Sequence, residues 1–165
     1  MSTWQSVGAL GSAIQNNDAT QKYGLGQCIA ARDMDPVSDY GDGEFIYAKG
    51  LASTAVGECV VIDAADWSTK LAVANDVGRI GFAMAATLAG EFGWYQVRGR
   101  AVSLSLAANA DNAAQYLTAT PGSIDDAVVA GDRIHRVESV SAVDTPSTGL
   151  IELDIDFPHT DNVAD

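Results

Sequence analysis

The sequence predicts an all-β protein, a β-barrel or β-sandwich, on three observations. Residues Ile151-Glu152-Leu153-Asp154-Ile155-Asp156-Phe157 alternate apolar and acidic without a break, the period-two pattern of a strand with one dry face. Short apolar runs recur behind glycine-containing turn clusters, at the spacing of roughly 8–12 residues that barrels and sandwiches use. Helical periodicity is thin, and no long helix connects the strands, which argues against a parallel α/β sheet. About eight to ten strands are expected on that spacing.

In chain order, residues 1–26 stand apart from the rest. Ser, Gly, Asn and Gln dominate there, with isolated apolar positions at Trp4, Val7, Leu10, Ile14, Tyr23 and Leu25. The spacing of Val7, Leu10 and Ile14 fits one side of a short helix. Gly8 and Gly11 oppose it, each costing about 1 kcal/mol in a helix interior. This segment reads as an N-terminal arm that orders against something else, because a purely flexible tail has little use for Trp4 and Tyr23.

Residues 27–158 read as a single β domain. Gly41-Asp42-Gly43 is a turn cluster leading into Phe45-Ile46-Tyr47-Ala48, and Val56-Gly57-Glu58 opens Cys59-Val60-Val61-Ile62. Glycine supplies the positive φ of a tight turn, and the neighbouring acid accepts backbone hydrogen bonds. Gly78 to Met84 reads as another strand. Phe92 to Leu106 reads as two strands meeting near Gly99, where a bend or bulge is expected. Within it, Phe92 and Trp94 share one face while Tyr95 and Val97 share the other, and core packing on both faces is the favoured reading. Asn109 to Leu117 is open between a short helix started near Asp111 and a loop leading into a strand over Tyr116–Thr120. Ala130-Gly131-Asp132 opens Arg133 to Val140. In the closing strand, Ile151, Leu153, Ile155 and Phe157 form the core face, Pro158 is expected to stop the ladder, and residues 159–165 form a loose polar tail.

Composition bounds what such a domain does. The 165 residues suit one compact domain, and 47% hydrophobic residues give it enough core. Only 7% are aromatic and much of the apolar content is Ala and Val, so stability is expected to depend on backbone pairing and close strand approach, with neighbouring subunits as a further source. The net charge of −13 opposes sequence-independent binding to nucleic acid, which needs a Lys/Arg surplus, and equally opposes an anionic membrane surface. No stretch reaches the ~20 apolar residues of a spanning helix. Met1-Ser2-Thr3-Trp4 lacks the basic and apolar regions of a signal peptide, so synthesis in a reducing cytoplasm is expected. Cys28 and Cys59 are the only cysteines. Cys59 reads as a buried thiol in an apolar run, and a disulfide to Cys28 is left open.

A search for chemistry finds none that the residues support. His135 and His159 lack the further ligands a zinc site needs, and no Gly-x-Ser-x-Gly nucleophile motif is present. Asp39 to Glu44 does not fit a calcium loop and reads as a tight acidic turn. Gly24-Leu25-Gly26 and Gly41-Asp42-Gly43 complete no phosphate-binding motif. The expectation is a non-enzymatic protein with no catalytic, cofactor-binding or metal-binding residues and no cofactor.

The stretch from about Gly78 to Phe157 resembles the capsid decoration, or cement, proteins of tailed bacteriophages, small virion proteins encoded near the major capsid protein. The residues carrying the resemblance are Val77-Gly78-Arg79-Ile80-Gly81-Phe82-Ala83, Gly93-Trp94-Tyr95-Gln96-Val97-Arg98-Gly99, Ala119-Thr120-Pro121-Gly122, Ala130-Gly131-Asp132-Arg133-Ile134 and the closing acidic strand. The match covers about half the chain. It implies a barrel or sandwich, jelly-roll or tulip-like, on the outer surface of the head. It implies the major capsid protein as partner, a homotrimer as the self-association, and stabilisation of the mature shell without catalysis. Trp4, Val7, Leu10, Ile14 and Tyr23 are then expected as arm contacts with the capsid or an adjacent subunit. The rival readings are another virion part, such as a head-fibre base, tail-tube or adhesin subunit, and a trimeric β-fold hydrolase.

Overall fold

The computed structural model describes the backbone of residues 4–6 and the whole of residues 13–163. Those residues form eleven strands and no helix: β1 (Trp4–Ser6), β2 (Cys28–Asp33), β3 (Asp42–Gly50), β4 (Cys59–Ile62), β5 (Ser68–Leu71), β6 (Gly78–Ala83), β7 (Phe92–Leu104), β8 (Ala114–Leu117), β9 (Ile124–Asp125), β10 (Arg133–Ser139) and β11 (Leu150–Thr160). The protein is therefore all-β, as the alternation and turn spacing predict.

All eleven belong to one sheet, ordered β1-β2-β3-β5-β4-β6-β7-β11-β10-β8-β9, with additional pairings of β3 to β7 and β6 to β11. The β3–β7 pairing closes β3-β5-β4-β6-β7 into a five-stranded ring, which removes the unpaired edges an open sheet leaves. Only β3–β5 is parallel; its other pairings are antiparallel. From β7 the sheet continues as β11-β10-β8-β9, and a bridge between Ser105 and Ile124 brings its far end back to the end of β7.

Alternation along each ring strand sends side chains into two different cores. Ile46, Ala48, Val60, Ile62, Ala83, Tyr95 and Val97 fill the ring, with Trp67 and Leu71 packed against them. The bore is tight. A Cβ on Gly81 would lie 2.9 Å from Ile62 and 3.2 Å from Tyr95, so this position has no room for a side chain unless its neighbours shift. Tyr95 spans the bore and its hydroxyl accepts a hydrogen bond from Thr69 Oγ1 at 3.1 Å. On the outside of β4 and β6, Cys59, Val61, Ile80 and Phe82 face Leu117, Ile124, Ile134, Ile151, Leu153 and Ile155 across the second core.

The third core corrects the expected arm. Ile14 is fully buried with Ile29, Ala31, Phe45, Tyr47 and Trp94, and Tyr23 and Leu25 pack against the same cluster. Asp18 pairs with Phe92 through both backbone hydrogen bonds. Its buried carboxylate accepts the Tyr47 hydroxyl at 2.9 Å and pairs with Lys22 at 2.5 Å. Tyr23 lies edge-on to Tyr47 at 5.1 Å and beside Trp94 at 5.4 Å. Residues 13–26 are thus a strap across β3 and β7, held by their own core contacts. Trp4 belongs to β1, which pairs with β2 at Trp4–Asp33 and Ser6–Ala31. Val7 and Leu10, and the helix expected through them, lie outside the described residues.

Four further expectations are corrected. Phe92–Leu104 is one strand, bent at Gly99 rather than broken there. Asn109–Leu117 carries no helix, and the strand there is Ala114–Leu117, earlier than Tyr116–Thr120. The pattern of the closing strand fails at Phe157, which has φ +50° and is 36% exposed. Pro158 does not stop the ladder: β11 runs on to Thr160, where His159 pairs with Arg79 and Thr160 with Gly78. A bulge makes this possible. Between the pairs Val137–Ile155 and His135–His159 the register slips, so the missing Pro158 N–H falls where ladder pairing is already interrupted. The ladder thus runs past residue 159, where the polar tail was expected to begin.

Candidate docking surface

A groove of about 890 Å³ runs across β2, β3, β7 and β11. Gly99 creates it. Its φ is +91°, and a Cβ there would lie 2.3 Å from the Asp42 carbonyl oxygen, so only glycine lets β7 bend this close to β3. The bend shifts the β3–β7 register between Glu44 and Phe45. Gln96, 1% exposed, stabilises it by donating from Nε2 to the carbonyls of Arg98 at 3.1 Å and Arg100 at 2.9 Å, either side of the glycine.

Small residues floor the groove, Ala30, Ala31, Gly43 and Gly99 among them, with Met34 at its rim. Charged side chains wall it in alternation. Arg32 grips Asp42 with two hydrogen bonds of 2.7 and 3.1 Å. Arg98 pairs with Glu44 at 2.7 Å and stands 3.7 Å from Asp156, which Arg136 holds at 2.5 Å. Behind this strip Arg100 meets Glu152 at 2.7 Å, and the Tyr40 hydroxyl donates to the same carboxylate at 2.6 Å. The Arg32 guanidinium holds the Asp42 carboxyl below the usual carboxylate range, and Glu44 raises Arg98. Burial, reinforced by Glu152, pushes the Tyr40 hydroxyl well up, so it remains a donor.

The strip is unusual in charge. Arg32, Arg98, Arg100 and Arg136 are four of the chain's nine basic residues, and they face Asp42, Glu44, Glu152, Asp154 and Asp156. Nearly all of the net −13 lies elsewhere. The Arg98, Asp156 and Arg136 side chains are each more than half exposed, and exposed pairs of this kind add little to stability. Their value is geometric: an ordered row of alternating charge beside an apolar floor, the arrangement that fixes register and partner choice at an interface.

Of the residues expected as contacts, Ile14 and Tyr23 are committed to the third core, Trp4 sits in the edge strand beside the groove wall, and Val7 and Leu10 lie outside the described residues. The acidic turn supplied Asp42 and Glu44 to the strip. Sequence reasoning missed their partners, because Arg32 reaches Asp42 and Arg98 reaches Glu44 only through cross-strand pairing. His135 and His159, far apart in sequence, are directly opposed on β10 and β11. Among the described residues no group of three His, Cys, Asp or Glu side chains is placed to hold a metal ion. Cys28 is exposed and Cys59 buried, both as free thiols. Compared with known proteins, the chain matches no protein-family model and no curated protein.

Proposed function

We propose that this protein is a structural component of a tailed-phage virion that binds the outer surface of the assembled capsid and stabilises the mature shell. The resemblance of Gly78–Phe157 to decoration proteins suggests the role, and the groove with its alternating exposed charges is the observation that carries it. A decoration protein needs a rigid body and a surface that reads a repeated lattice. Ring closure supplies the rigidity, since few sheet edges remain to fray or to pair wrongly. The charge strip supplies the recognition, on a molecule whose acidity keeps free copies apart. The major capsid protein is the partner, and a homotrimer at three-fold positions is the form that multiplies weak contacts. Binding only the expanded shell stabilises it by about 2.7 kcal/mol per site at a hundredfold excess over Kd.

The test is cosedimentation of the full chain with shells assembled from the major capsid protein encoded beside it, before and after expansion. Saturable binding to expanded shells alone, weakening as salt rises, is the expected result. Arg32→Glu with Arg98→Glu should cut occupancy at least tenfold while leaving the fold intact. No binding to expanded shells removes the proposed role. Undiminished binding by the double variant removes the groove from it.

A further inference from the structure

A second cavity, of about 680 Å³, opens between the strap, the β2–β3 connection, the end of β6 and the paired strands β7 and β11. It shares no lining residue with the groove, and its size falls within the roughly 300–1,000 Å³ of small-molecule sites. Val56, Met84, Val102 and Leu150 give it apolar walls. Val37 and Val56, both exposed, mark its mouth. Met84 also packs against the third core, which fixes that wall. Val102 and Glu152 are direct cross-strand partners, so a carboxylate stands on the same sheet face as the apolar lining.

The polar atoms this cavity can offer are acceptors. Gln96 lines it and is 1% exposed. Its Nε2 already donates to the carbonyls of Arg98 and Arg100, so the amide has only Oε1 left for a ligand. Tyr40 commits its hydroxyl hydrogen to Glu152 Oε1 at 2.6 Å, and burial holds the phenol protonated. Glu152 Oε2 is taken by Arg100 at 2.7 Å, from outside the lining. Oε1 receives the neutral Tyr40 hydroxyl and, with two lone pairs, has capacity for a second donor.

We propose that this cavity binds a small organic cation with an aromatic body, an arylalkylammonium, its ring against Met84, Val102 and Leu150 and its ammonium directed to Glu152.

Three features select that chemistry. The apolar walls favour a ring, and the Met84 thioether makes favourable contacts with aromatic edges. A ligand without donors would bury the Glu152 and Gln96 oxygens against carbon, which costs free energy. An ammonium supplies donors to both and makes a charge-assisted bond to the carboxylate, roughly twice as strong as a neutral one. An anionic ligand would instead bring like charge to a cavity lined by Asp35 and Glu152. The assignment does not depend on shell binding.

The test is NMR titration of the full chain, with its three methionines labelled at the methyl carbon. The ligands are tryptamine, its neutral isostere tryptophol and the anion indole-3-acetate. Tryptamine has about a dozen non-hydrogen atoms, enough at ordinary ligand efficiency for a Kd of about 1 mM. It should bind saturably and shift the Met84 methyl, while Met34, at the rim of the groove, stays in place. Tryptophol should bind at least about fivefold more weakly, having lost the charge-assisted bond, and indole-3-acetate should not bind. Glu152→Gln, which keeps size and removes charge, should lower tryptamine to the level of tryptophol. Val56→Trp, at the exposed mouth, should block both. The ligand series is read on the native chain, so it holds if a variant does not fold. Equal binding of tryptamine and tryptophol, a tryptamine affinity unchanged by Glu152→Gln, a shift at Met34 in place of Met84, or no saturation by about 10 mM overturns the proposal.

Discussion

Replacing Ile14 with alanine distinguishes a strap that belongs to the domain from an arm that waits for a partner. Ile14 is completely buried beneath Tyr47 and Trp94. The substitution removes three methyl or methylene groups, worth about 0.8 kcal/mol each in transfer free energy, or about 2.4 kcal/mol before any cavity is counted. A cavity term raises this, and the observed range for buried Ile to Ala is about 2–5 kcal/mol. Partial collapse of the strap into the vacated space should keep the loss at about 3 kcal/mol. With a urea m value of about 1–3 kcal/mol per molar, the midpoint of equilibrium unfolding should fall by at least about 1 M at unchanged slope. Val37→Ala is the matched control: Val37 is 91% exposed, and a surface change of this kind stays within about 0.5 kcal/mol. If Ile14→Ala in the isolated protein costs no more than Val37→Ala, residues 13–26 do not contribute to the core and the strap is refuted.

Two other predictions follow from single positions. Gly99→Ala should destabilise by more than Gly90→Ala, because both have φ near +90° but only Gly99 has a backbone oxygen within 2.3 Å of the new Cβ, whereas Gly90 has nothing within 4 Å. Left-handed strain alone costs about 1–3 kcal/mol, so equal losses in thermal unfolding would deny the close approach. Thiol labelling should modify Cys28 alone in the native protein and both cysteines in denaturant, since burial pushes the Cys59 thiol far above its ordinary range. Burial and the Glu44 carboxylate raise Cys28 as well, so its labelling should be slower than that of a free thiol; two native equivalents would contradict the burial of Cys59.

The parts of the fold legible in the sequence were those in which one strand alone carries the signal. Cys59–Ile62 is apolar throughout because both of its faces are cores, and Ile151 to Ile155 alternates because one face is wet. Trp94 and Tyr95 divide between two cores as strict alternation requires. What escaped were features set by closure. Ser68 and Thr69 are polar, yet 7% and 1% exposed, because β5 is drawn parallel to β3 to complete the ring. No local pattern marks such a strand. The strap escaped for a related reason: Ile14, Asp18 and Tyr23 look sparse among polar residues until β3 and β7 present Tyr47 and Trp94 to receive them.

The candidate site shows the same division more sharply. Alternation placed the acids of β11 on a wet face, where they look like ordinary solubilising charge. Their counterparts are far away in sequence, Arg98 on β7 and Arg136 on β10, and are aligned only because Gly99 bends β7 toward β3 while Gln96 satisfies the carbonyls that the bend exposes. One residue without a side chain and one buried amide therefore convert scattered charges into an ordered row. Stability does not require that row, for exposed ion pairs return little on folding, and a domain with three apolar cores has other means of holding together. A chain with 22 acids and nine bases has few cations to place, yet Arg32 and Arg98 line one groove and Arg136 pairs with Asp156 on its wall. Charge gathered where it contributes so little to folding is best explained by what it meets outside the fold, which is why removing Arg32 and Arg98 should change binding far more than melting.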